Sequence, residues 1–297
     1  MIQYSFLDSV MDAKDHLKNG TILKNLISRR KQFIHFIFVF TFLFYSFSLQ
    51  AQFDNEKYDK ESFLIGTLNE YMNYQRTFTN GSKFYYQRVD IMSQGDLKHA
   101  LFIDSLFNLD YSDITIVNNG APQGIKIFSP SLSLKIDDFY DYRPERHWTL
   151  QGDTIHSGHL KKEMFETEKQ KLSFLLGVYL RYGFGKDRTN TVIQSLKRDN
   201  LLEGNKEYEN VFSMSNAPSK AKVCVELLKE LDCNAEYVMR QTTIPVGHIV
   251  IFIPSNKIRE VIIEAVRLTK YIETIDTNHV NFILDGKKFI LDEPEKP

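Results

Sequence analysis

Beyond residue 52 the apolar positions recur with two periods, three-to-four and two, and the switches between them mark the elements. Helical spacing runs through Lys60–Tyr74, where Phe63, Leu64, Leu68, Tyr71 and Met72 share a side, and again through Asp96–Phe107. Ile114–Val117 and Gly124–Phe128 read as two strands around Asn118-Asn119-Gly120, with Ser131–Ile136 as a third. Asp137–Trp148 mixes acids, aromatics and bases around Pro144 and reads as a surface loop open to ligand contact. Lys161–Phe184 predicts a long helix ended by Gly183 and Gly185, and Thr189–Leu202 a shorter one. Pro218–Leu231 is a third helix, its proline in the first turn where the missing N–H costs little.

Ala235–Gln241 and His248–Pro254 follow as strands, the second holding the apolar run Ile249–Ile253, and Lys257–Leu268 returns to helical spacing. The chain closes on a hairpin pattern, Val280–Leu284 and Lys287–Leu291 about Asp285-Gly286. The expected class is α+β. A soft boundary near residue 155 separates an N-terminal helix and β-hairpin region, 52–155, from a C-terminal helix-plus-antiparallel-sheet domain, 156–297. No internal repeat stands out.

The N-terminal pattern is of another kind. Residues 33–49 are uncharged and Phe-rich, Arg29-Arg30-Lys31 stands before them, and Ala51 follows. That is the layout of a signal peptide or an N-terminal membrane anchor over residues 1–51, and it predicts export to the periplasm, cell envelope or medium. Membrane contact is expected only through residues 33–49. The first 51 residues carry a net charge of +3, which leaves 31 basic against 35 acidic side chains in the remainder. A mildly acidic remainder without a basic stripe predicts no nucleic-acid partner.

Candidate chemistry gathers near the C-terminus. With Asp285-Gly286 as a two-residue turn, His279 faces Asp292 across the hairpin, where a carboxylate can fix the imidazole tautomer and support a general base. The same geometry suits a plain ion pair. Residues 215–238 and 277–293 resemble the core of transglutaminase-like members of the papain-like cysteine enzymes. Leu227-Leu228, Cys233-Asn234-Ala235 and Tyr237-Val238 carry the helix and its exit, and His279-Val280-Asn281 and Asp292 carry the hairpin.

Registering on Leu227-Leu228 places the family's nucleophile at Ala217. The resemblance therefore implies a transglutaminase/papain-like domain that binds a peptide or protein without catalysis. Two alternatives stay open. One is an acyl-transfer enzyme with His279, Asp292 and either Cys224 or one of Ser213, Ser215 and Ser219, with His248 as a second candidate histidine. The other is an unrelated structural protein of the envelope.

Cys224 and Cys233 are the only cysteines, and a helical stretch between them predicts two buried thiols rather than a disulfide. His156 and His159, with Asp153 and Glu163 nearby, could be read as metal ligands, but they bracket a glycine in an expected loop and lack helical ligand spacing. Neither a cofactor nor a metal is expected.

Overall fold

The computed structural model describes residues 53–71, 74–77, 88–118, 124–148, 154–202, 207–241 and 245–277. The chain separates into two compact units, Met1–Gln52 and Phe53–Pro297. The apolar segment 33–49 and the His279–Asp292 hairpin lie outside the described residues. Among the described residues no helix is long and apolar enough to cross a membrane.

The unit after residue 52 mixes helices with antiparallel sheets. In order it contains α1 (Lys60–Thr67), β1 (Gln75–Thr77), β2 (Arg88–Met92), α2 (Leu97–Phe107), β3 (Thr115–Asn118), β4 (Ile125–Phe128), α3 (Pro130–Asp137), β5 (Tyr140–Trp148) and β6 (Thr154–Leu160). It continues with α4 (Glu168–Tyr182), α5 (Lys186–Arg198), β7 (Asn210–Ser215), α6 (Pro218–Glu230), β8 (Asn234–Arg240), β9 (Gly247–Ile253) and α7 (Asn256–Glu273). The described strands form three sheets, ordered β1-β6-β5, β2-β4-β3 and β7-β9-β8, and their pairings are antiparallel.

Two of these sheets reveal an internal duplication. With β1 and α5 left aside, α1–β2–α2–β3–β4–α3 and α4–β7–α6–β8–β9–α7 share one order of elements. In each, the third strand of the sheet lies between the other two. The leading helices carry short sequences alike at four of five positions, Ser62-Phe63-Leu64-Ile65-Gly66 in α1 and Ser173-Phe174-Leu175-Leu176-Gly177 in α4. The expectation of no internal repeat is thereby corrected.

These two helices meet backbone to backbone. A Cβ on Gly66 would overlap the Phe174 carbonyl oxygen and stand 2.8 Å from the Val178 nitrogen. A Cβ on Gly177 would overlap the Phe63 carbonyl oxygen and stand 3.0 Å from the Thr67 nitrogen. The two contacts are reciprocal, as a pseudo-twofold axis between the repeats requires. Phe63 and Phe174, fully buried beside the crossing, anchor the apolar core on either side.

Local chemistry explains two departures from the expected elements. Ser131–Ile136 is helical because Ser129 accepts from the Leu132 N–H as an N-cap and Pro130 fits the first turn. Asp137–Trp148 is mostly strand β5, since Tyr140 and Tyr142 point into the core beside Gly158. A side chain at Gly158 would press on both rings, within 2.9 Å of Tyr142 and 3.2 Å of Tyr140. The boundary placed near residue 155 falls inside β6.

Helix α5 distinguishes the two halves. Its Ile193 and Leu196 pack on Val211, Val238, Ile249 and Ile251, and so cover the face of the β7-β9-β8 sheet turned away from α6 and α7. That is why β9 reads as an unbroken apolar run: both of its faces are buried. In the first half, β4 alternates Ile125, Lys126, Ile127, Phe128, with only the isoleucines fully buried.

Candidate functional site

The ends of the glycine-paired helices converge on a cluster of buried charges. Just beyond α1, Glu70 is fully buried. Its Oε1 accepts from Tyr140 Oη at 2.5 Å and stands 3.3 Å from Lys220 Nζ. Lys220, on α6, is likewise fully buried. Its ammonium donates to the carbonyl oxygens of Ile65, Gly66 and Leu68, at 2.8, 3.1 and 2.7 Å. Those carbonyls end α1 and lack partners along the helix, so a cation there satisfies hydrogen bonds and suits the helix dipole. Tyr182 Oη, at the end of α4, donates to the Leu68 carbonyl at 2.7 Å.

A second pair mirrors the first. At the end of α4, Arg181 stands 3.5 Å from Asp90 on β2, and Asp90 Oδ1 also accepts from the Asn69 and Ile91 N–H groups. A bulge between Arg88 and Asp90 turns both Val89 and Asp90 inward, which brings the carboxylate to the arginine. Glu70 thus reaches from the first repeat to Lys220 in the second, while Arg181 reaches from the second back to Asp90 in the first. The duplicated halves are tied by two crossed ion pairs of opposite polarity.

Burial sets the electrostatics of this joint. Desolvation pushes the Glu70 and Asp90 carboxyls up, opposed by Lys220 and Arg181 respectively. It pushes the Lys220 ammonium down, opposed chiefly by Glu70. His99 is lowered to about 3 by burial and, next, by the charge of Arg181, so its ring stays neutral. A further buried cation adjoins the cluster: Arg76 bonds Asp137 at 2.9 Å and lies over the Tyr74 ring. Tyr74 in turn stacks on Tyr140 at 4.8 Å. Each carboxylate of the joint already faces a cation and is shut from solvent, so the residues suit a structural tie rather than a metal or substrate centre. Among the described residues, no group of three side chains could hold a metal ion.

His279 and Asp292 lie outside the described residues. Cys224 is fully buried on α6, and burial pushes its thiol well above the usual range, which leaves no thiolate for attack. Both cysteines are free and buried. We expect neither to react with an aromatic disulfide reagent in the native protein and both to react in denaturant. Rapid native labelling of Cys224 would contradict the packing of α6. Ala217 is the buried N-cap position of α6, and Ser219 Oγ accepts from the Leu160 N–H at 2.8 Å. His248 is buried and pairs with Tyr237 Oη at 2.6 Å. His156 and His159 sit three apart on strand β6, so they point to opposite faces.

No family model matches the chain. No curated protein matches it either. Solved structures of the homing endonuclease I-DmoI do match. Mesophilic variants of that enzyme give 11% identity over 71% of this chain and 95% of theirs, with a TM-score of 0.42. I-DmoI in complex with DNA and calcium gives 10% identity over 67% and 85%, with a TM-score of 0.40. An I-DmoI variant with its target DNA in the presence of manganese gives 13% identity over 75% and 96%, with a TM-score of 0.41.

These matches correct the expected family: they are homing endonucleases, not transglutaminase- or papain-like enzymes. The non-catalytic transglutaminase-like peptide binder is corrected with it, as is the expectation of no nucleic-acid partner. The motif match rested on a Leu-Leu helix followed by a strand and on the His279–Asp292 hairpin, which lies outside the described residues. Any helix that packs on a sheet supplies the first of these.

Proposed function

We propose that this protein binds nucleic acid on the outward sheet face of its first half. The observation that carries the reading is one row of side chains across two sheets. Arg143 on β5 pairs with Ser157 on β6, and Ser157 pairs with Gln75 on β1. Arg88 on β2 then donates to the Gln75 carbonyl at 3.1 Å and pairs with Phe128 on β4, which pairs with Thr115 on β3. The neighbouring row is Ile91, Lys126 and Val117. Directly paired residues share a face, and the inward neighbours, Arg76, Tyr140, Ile125 and Ile127, are buried. That side carries exposed Arg143, with Arg88, Lys126 and the Phe128 ring half-exposed, while Ser157 in the middle of the row is itself buried. Cations spaced over a β surface with an aromatic among them suit a phosphate backbone and its bases.

Net charge could not reveal this. It sums over the whole chain, whereas a polyanion meets one face. The duplication adds a reason for the asymmetry: the corresponding face of the second half is apolar and lies under α5.

The test is fluorescence anisotropy with labelled single- and double-stranded oligonucleotides at low salt. Replacing Arg88, Lys126 and Arg143 together by glutamine should weaken binding by at least about tenfold, since roughly three phosphate contacts are lost. A control with Lys57, Lys257 and Arg259 changed to glutamine loses the same charge from other exposed sites and should bind within about threefold of the parent. Equal losses in both variants would mean that only overall charge matters, and the reading would fail.

A further inference from the structure

We infer that Arg143, His159 and Lys222 form a proton-sensitive clamp for one backbone phosphate, at the seam where the first-half face meets helix α6; the inference rests on the nucleic-acid reading above. His159 lies on the outward face of β6, directly across from exposed Asp141 of β5. Arg143 is two residues further along β5, on the same face and exposed. The hydrogen bond from the Leu160 N–H to Ser219 Oγ fastens the end of β6 to the first turn of α6. One turn later stands exposed Lys222.

The charges of Arg143 and Lys222 both act on the His159 ring. Burial, then Arg143, lower its affinity for a proton, while Glu145 and Asp141 work the other way and Lys222 adds to the lowering. Lys222 also acts on His248, which is buried against Tyr237 and takes no part in the clamp. A phosphate between the two cations changes the balance. Its negative charge favours imidazolium, so binding draws a proton onto His159 and a falling pH strengthens binding. No covalent change is involved.

Anisotropy at pH 7.5 and pH 5.5, with the full chain and one labelled oligonucleotide, tests the clamp. The parent protein should bind roughly three- to tenfold tighter at pH 5.5, with the slope of log affinity against log salt steeper by about 0.9, one added phosphate contact. In His159→Gln the ratio of affinities at the two pH values should fall to within about twofold of unity. Lys222→Gln should shrink the same ratio. A His159→Gln protein that keeps the full gain at pH 5.5, or a parent protein that shows none, overturns the clamp and leaves the binding face standing. Absence of binding at both pH values overturns the nucleic-acid reading itself, and the clamp with it.

Discussion

Gly177→Ala is expected to lower unfolding stability by about 3 kcal/mol or more, among the largest effects of any single methyl group in this protein. The added carbon would overlap the Phe63 carbonyl oxygen and stand 3.1 Å from the Gly66 Cα, atoms of backbone that cannot rotate away. Helices α1 and α4 would have to separate, and Phe63 and Phe174 would lose packing on both sides of the crossing. Gly66→Ala should cost a similar amount because its contact is the mirror image. Gly185, which has nothing near its missing Cβ, serves as a control: Gly185→Ala should change stability by less than about 1 kcal/mol. Urea unfolding of the three variants reads the difference directly. A tolerated alanine at Gly177 would mean that the helix pair is not in backbone contact.

Lys220→Met should be nearly as damaging. The substitution keeps the apolar stem but removes the ammonium. Glu70 and the carbonyls of Ile65, Gly66 and Leu68 are then left buried without their donor. Removing one partner of a buried pair costs about 3–5 kcal/mol. Adding Glu70→Leu should return part of that loss, since no unpaired carboxylate remains, though the three carbonyls still lack a partner. Chemical denaturation of the single and double variants gives the coupling between the two positions. If the double variant is no more stable than Lys220→Met alone, Glu70 does not depend on Lys220 for its charge.

Much of the architecture was legible in apolar spacing. The α+β class, every described helix except α3 over most of its length, and strands β8 and β9 all follow from periods of three-to-four and two. The unbroken run Ile249–Ile253 reads as a strand, and the structure buries both of its faces, one of them under α5. Other features resist a reading from local pattern. The duplication rests on five aligned residues, Ser-Phe-Leu-Ile/Leu-Gly, placed 111 positions apart, and shared topology makes them meaningful only once strand order is known. The β5 strand hides because Pro144 and a mixture of charges resemble a loop, while the room for its inward tyrosines comes from Gly158 on another strand.

The site was the least legible part. Lys220 and Glu70 are separated by 150 positions, and Lys220 looks like an ordinary solvent-facing lysine of an amphipathic helix. A detectable sign existed in its neighbours. Lys220 falls in register with Cys224, Leu227 and Leu228 on the apolar side of α6, all of them buried. A charge on a core stripe asks for a partner, and the helix ends supply it. The row formed by Arg143, Ser157, Gln75, Arg88 and Phe128 depends on pairing across two sheets, which no local pattern encodes.

Ultraviolet cross-linking of the full chain to a photoreactive oligonucleotide, with the adducts located by mass spectrometry, tests the binding face most directly. The account predicts adducts on peptides holding residues 88–92, 115–118, 125–128 and 140–145. Adducts confined to α5 and α7, with none on β2, β4 or β5, would contradict it.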